Sequence, residues 1–129
     1  EMTESDFESA DDMWDWILEE TQNTFEFLVT DFGCSVVVSE PESNECAVEY
    51  SKDAVCIGVS SSFGCRPEVC VEIEGRRTYT GQLISKYAKG LKLPVRSTVF
   101  SKRIRKDDYR AMFAAYCELI RAFITSQHS

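Results

Sequence analysis

Val55-Cys-Ile-Gly-Val59 and Val69-Cys-Val-Glu-Ile73 are the stretches on which the fold turns. In the first, Val55, Ile57 and Val59 share one side, while Cys56 and Gly58 share the other. In the second, Val69, Val71 and Ile73 alternate with Cys70 and Glu72. A period of two in short runs rich in Val and Ile is the signature of strands with one face on a core and one nearer water. Two similar runs precede them, Cys34-Ser-Val-Val-Val-Ser39 and Cys46-Ala-Val-Glu-Tyr50. The second of these repeats the alternation, with Cys46, Val48 and Tyr50 against Ala47 and Glu49. Pro41 to Asn44 reads as a polar turn. The spacer Ser51-Lys-Asp-Ala54 is short enough for a hairpin, and the link from Ser60 to Pro67 is a longer loop. The simplest topology is a meander of four antiparallel strands.

Helical patterns stand on either side of this block. Met13/Trp14, Ile17/Leu18, Thr21, Phe25 and Leu28 recur in steps of three and four, drawing one apolar stripe. Ser9 or Asp11 is placed to cap that helix, and Gly33 to stop it. Trp16 and Phe27 fall off the centre of the stripe. They read either as flanks of a wide buried face or as exposed contacts for a partner. Tyr79, Leu83, Ile84, Tyr87 and Leu91 draw a short helix, capped by Thr78 or Thr80 and ended near Gly90. Pro94 makes the next stretch a loop. A last helix starts at Asp107 or Asp108, with Tyr109, Met112/Phe113, Tyr116/Cys117, Ile120 and Phe123/Ile124 as its stripe. The expected architecture is one α+β domain over residues 1–129. Its four-stranded antiparallel sheet is covered on one face by the N-terminal and C-terminal helices, and residues 1–8 are expected to fray.

The 129 residues, 43% of them hydrophobic, can bury a core without metals or disulfides. No stretch approaches the ~20 apolar residues of a membrane span. The N-terminal residues are acidic where a signal peptide needs a basic region and an apolar core, so a cytoplasmic protein is expected. Six cysteines then read as reduced, buried hydrophobes rather than as a disulfide framework; no Cys-x-x-Cys pair occurs.

Charge is the most unusual feature. The total is −8, yet residues 1–50 hold fifteen acidic residues and no Lys or Arg, while the remainder nets +7. Such asymmetry bears on partners and on steering. Asp11, Asp12, Asp15, Glu19, Glu20 and Glu26, with Glu40, Glu42, Glu45 and Glu49 from the strands, are expected to form one negative surface for a basic partner. Simple solubility is the plainer explanation of a negative total. It explains less well why fifty residues lack any Lys or Arg. Asp11, Asp12, Asp15, Glu19, Glu20, Glu45 and Glu49 are the residues expected to contact the partner.

Other chemistry finds little support. The single histidine, His128, is next to the last residue, which removes the Cys-His and Ser-His arrangements and most zinc sites. No catalytic residue, metal or cofactor is expected. Paired carboxylates remain conceivable for an enzyme, but nothing in the sequence marks one as buried. Ser60-Ser-Ser-Phe-Gly64 lacks the phosphate-loop pattern and leads into no helix. Residues 86–110 hold nine of the fourteen basic residues. They read as a phosphate-binding patch or as a linker that folds back on the acidic helix. The negative total argues against a nucleic-acid binder.

The order of helix, strand meander and helices resembles the small acidic immunity proteins that bacteria encode beside polymorphic or contact-dependent toxins. The resemblance rests on Phe25-Glu-Phe-Leu-Val-Thr-Asp-Phe-Gly33 running into a strand, and on Ala47-Val-Glu-Tyr-Ser51 before a Val/Ile strand. It implies stoichiometric occlusion of a basic toxin or nuclease, with no turnover. The chain also resembles the chaperones of type III secretion, which are small, acidic, dimeric α+β proteins holding an effector segment. Their usual helix between the third and fourth strands has no room in the link from Val59 to Val69. A small-ligand-binding or housekeeping domain is the remaining alternative. A homodimer is a further expectation, formed through a bare sheet face carrying Ala47, Cys56, Gly58 and Cys70.

Overall fold

A computed structural model describes residues 6–42, 44–94 and 104–127. Strands β1 (Ser35–Glu42), β2 (Glu45–Lys52), β3 (Val55–Ser62), β4 (Glu68–Ile73) and β5 (Arg76–Tyr79) form one sheet in the order β1-β2-β3-β4-β5. Every neighbouring pair is antiparallel. Helices α1 (Ala10–Thr24), α2 (Phe27–Thr30), α3 (Thr80–Tyr87) and α4 (Lys106–Gln127) complete the chain.

The α+β class and the antiparallel meander stand as the sequence predicts, but the sheet has five strands, not four. The fifth pairs with β4 through a two-residue turn, with Ile73 opposite Arg76. Both turn residues, Glu74 (φ +50°) and Gly75 (φ +84°), are left-handed, the geometry that matches the twist of a tight hairpin. Arg76-Arg77-Thr78-Tyr79 shows no apolar alternation, and a short edge strand needs none.

The alternation of the central strands settles which face is covered. Cys46, Val48, Tyr50, Ile57, Val59, Val69 and Val71 are buried, and their neighbours on the opposite face are not. Against them pack Ile17 and Leu18 of α1, Leu83 of α3, and Met112, Phe113, Tyr116 and Ile120 of α4. The Ser9 hydroxyl caps α1 by accepting from the Asp12 N–H at 3.1 Å. The first stripe is expected to be one helix through Leu28, but the backbone leaves helical geometry at Phe25 (φ −101°, ψ 15°) and restarts as α2. That break carries the Phe25 ring into the core against Tyr50 and Phe113. Trp16 and Phe27 flank the buried face, Trp16 in edge-to-face contact with Phe7 at 5.5 Å and with Tyr109 at 6.1 Å.

The expectation of a frayed tail fails at Asp6 and Phe7; residues 1–5 lie outside the described residues. Phe7 is buried, and Asp6 pairs with Arg105 at 2.9 Å. Burying an aromatic ring is worth enough to hold a short segment in place. The same contacts decide part of the basic stretch. Arg105, Lys106 (over the Phe7 ring) and Arg110 (over Trp16) fold back on the N-terminal segment and α1. Arg96, Lys102 and Arg103 lie outside the described residues.

Thr80 stitches the start of α3 to β4. Its hydroxyl accepts from the Val69 N–H at 2.9 Å and donates to Glu68. Thr80→Val keeps the shape and leaves the Val69 N–H buried without a partner, which should cost about 1–3 kcal/mol. A urea midpoint unchanged from wild type would refute this role.

The described cysteines are all free thiols. Burial, with a smaller contribution from Glu40, pushes the Cys46 thiol from 9.0 up to about 11. Between pH 9 and pH 11 the unfolded chain releases this proton while the folded chain keeps it. The stability from Cys46 is therefore complete below pH 9 and is lost as pH rises through 11. Tyr109, raised from 10.0 to about 12 chiefly by burial, acts in the same sense slightly higher. Denaturant midpoints should fall over this range, and Cys46→Ala should flatten the lower part of the decline.

Candidate functional site

Helix α1 and α2 lie beside β1, the sheet's first edge, and a groove runs between them. At one end Asp15, Leu18, Glu19, Gln22 and Asn23 face Val38 and Glu40 across a hollow of about 320 Å³. At the other end Gln22, Asn23, Glu26 and Val29 face Val36 and Tyr50 across a hollow of about 300 Å³. Gln22 and Asn23 line both, so the two hollows adjoin. The lining follows from two periods. Residues 15, 19 and 22 recur every three or four positions and fall on one face of α1, and Glu26 follows at the start of α2. Val36 and Val38 pair with Tyr50 and Val48, and so share the face that carries the core.

The walls are acidic and the floor is apolar. Asp15, Glu19, Glu26 and Glu40 stand round Leu18, Val36 and Val38. The ion pairs found among the described residues use Asp6, Glu68, Glu72 and Asp107, and none of the α1 carboxylates. Tyr50 is 1% exposed, and its hydroxyl has no hydrogen-bond partner among the described residues. Burial raises the pKa of this phenol, with smaller contributions from Cys117, Cys34 and Glu26, so the group stays a neutral donor.

The seven residues expected to meet a partner do not form one surface. Asp15 and Glu19 line the groove, and Asp11 precedes them by one turn on the same helical face. Asp12 and Glu20 share the stripe of Trp16, on the flank of α1. Glu45 and Glu49 alternate with buried Cys46 and Val48, so they project from the opposite face of the sheet. The strand acid that does join α1 is Glu40. Sequence reasoning missed Gln22, Asn23, Val29, Val36 and Tyr50. Val36-Val37-Val38 was the available signal, since an apolar run without alternation in the first strand leaves an apolar side chain on each face.

Among the described residues no helix covers the far face of the sheet, where Val37, Glu49, Gly58, Cys70 and Tyr79 lie across the strands in one row. The next row joins Cys56, Glu72 and Arg77, with Arg77 paired to Glu72 at 2.9 Å. Ala47, Cys56, Gly58 and Cys70 do form a half-buried floor of small residues, but Glu49 and Glu72 interrupt it. A third hollow, of about 210 Å³, lies between the β2–β3 turn and the end of α4, lined by Phe32, Cys34, Val55 and Ile124 among others. Asp53 is its single carboxylate, too few for paired-carboxylate chemistry. Among the described residues no cluster of His, Cys, Asp or Glu could hold a metal, and no helix is long and apolar enough to cross a membrane. His128 lies outside the described residues.

Comparison of the chain with protein-family models, with curated proteins and with solved structures gave no match.

Proposed function

We propose that this chain is a non-catalytic binder of a basic protein, of the immunity type, which neutralises a cognate toxin or nuclease by stoichiometric occlusion. The observation that carries the reading is the acidic groove of α1 and β1. Its carboxylates make no ion pair among the described residues, within a fifty-residue half that contains no Lys or Arg. Unneutralised carboxylates round an apolar floor speed encounter with a basic partner and give it somewhere to bury surface. The type III chaperone alternative is less favoured, because β3 and β4 are joined by residues 63–67 without a helix.

The test is capture of partners by the tagged protein from its host's lysate at low and at high salt, alongside the variant Asp15→Lys/Glu19→Lys. One basic protein should be held in equal stoichiometry, released by salt and missed by the variant. Its toxicity in a reporter strain should be suppressed by the wild-type chain. Capture of a secreted effector that is not toxic, or equal capture by the variant, would sink the reading.

A further inference from the structure

We propose that the partner delivers an extended, basic segment that adds to the free edge of β1 as a sixth strand, its Lys or Arg side chains lying in the groove under α1. This rests on the reading of the chain as a binder of a basic protein, and it names how that partner is held.

The two edges of the sheet are treated differently. β5 is four residues long and carries Arg76 and Arg77, devices that discourage further pairing. β1 is eight residues long. Its guards, Glu40, Pro41, Glu42 and the irregular register between Ser39 and Glu42, all lie in its second half. Ser35-Val-Val-Val-Ser39 carries no charge, no proline and no bulge, and its outer backbone groups face no neighbouring strand of the sheet. Such an edge is a template for strand addition. Of the five large hydrophobic residues exposed among the described residues, three gather here: Val29 at 37%, Val36 at 42% and Val37 at 59%.

Side-chain period then fixes the chemistry of the segment. A strand beside β1 places alternate residues on the groove face, next to Val36 and Val38, and the others beside Val37. On the groove face, Lys or Arg stems cover the valines while their heads reach Asp15, Glu19, Glu26 and Glu40. β-Branched residues suit the other face. Charge decides against a second copy of the chain as occupant. Pairing β1 with β1 would bring together two halves that each hold fifteen acidic residues and no basic one.

The experiment uses a fluorescent peptide of about nine residues, alternating Lys and Val, with both ends blocked. Two further peptides carry N-methyl groups on the odd or on the even residues. Binding to the whole protein is followed by anisotropy. An added strand turns one set of N–H groups towards β1 and the other set away. One methylated peptide should therefore bind like the parent and the other roughly tenfold more weakly or worse. Asp15→Lys/Glu19→Lys should weaken the parent as well. Equal binding of all three peptides would mean charge attraction without strand pairing, and would overturn the inference. So would no binding by any of them, or a dimer in sedimentation that Val37→Lys dissociates. Each of those results leaves capture of a basic toxin intact. The underlying reading fails separately, when the Asp15→Lys/Glu19→Lys variant still neutralises.

Discussion

Phe113→Ala is expected to cost about 3–5 kcal/mol, a large share of the roughly 5–15 kcal/mol by which a domain is stable. Phe113 is completely buried, and its ring meets Phe25 at 5.9 Å and Tyr109 at 6.0 Å. Phe25 in turn touches Tyr50 at 6.4 Å. The ring thus sits where α4, the break between α1 and α2, and the sheet come together. Truncating it removes the transfer free energy of the ring and opens a cavity that three separate elements would have to close. A helix and a sheet cannot shift independently to fill it, so the cost belongs at the upper end of the range. Phe63→Ala is the matched control: the same chemistry at a ring 61% exposed should change stability by less than about 0.5 kcal/mol. Denaturant titration of the two variants measures the contrast. A Phe113 variant within about 1 kcal/mol of wild type would mean that this junction is not the centre of the core.

The core was legible because burial imposes a period. Val55, Ile57, Val59, Val69 and Val71 announce an inward face by alternation, and all but Val55 are fully buried. Thr80 and Tyr116 were less legible. Each makes its bond to a residue distant in sequence, Tyr116 donating to the Pro67 carbonyl, and no local pattern encodes such a pairing. β5 was hidden for the opposite reason. It is held by main-chain pairing and by the left-handed pair Glu74 and Gly75, so its side chains carry little information. Phe7 looked like part of a polar tail because a lone aromatic has no period at all.

The acidic face was legible in composition but not in shape. Counting carboxylates cannot tell which side of a strand each occupies, and one residue of register reverses the answer. Glu40 falls with Val38 on the groove, whereas Glu45 and Glu49 fall opposite Cys46 and Val48. The groove acids Asp15, Glu19 and Glu40 are therefore separated from Glu45 and Glu49 by the sheet, and the groove is the side where carboxylates of a helix and a strand face each other.

That division gives the second large expected effect. Asp15→Lys/Glu19→Lys and Glu45→Lys/Glu49→Lys both move the net charge from −8 to −4. If net charge alone steered the partner, the two variants would associate equally slowly. The groove predicts otherwise. A strand added outside β1 lies two strand spacings, about 10 Å, from β2. Glu45 and Glu49 on β2 therefore lie beyond a Debye length of about 8 Å at physiological ionic strength. Reversals there should leave the association rate within about twofold of wild type, whereas reversals in the groove should slow it about tenfold or more. The groove variant should also lose most of its dependence on salt, since the attraction that salt screens has been removed. Lowering the ionic strength lengthens the Debye length, and the sheet variant should then begin to slow as well. Stopped-flow association with the captured partner across a salt series measures both slopes. Equal slowing at physiological salt would assign the steering to the whole protein's field rather than to α1. A larger effect at Glu45 and Glu49 would move the interface to the bare face of the sheet.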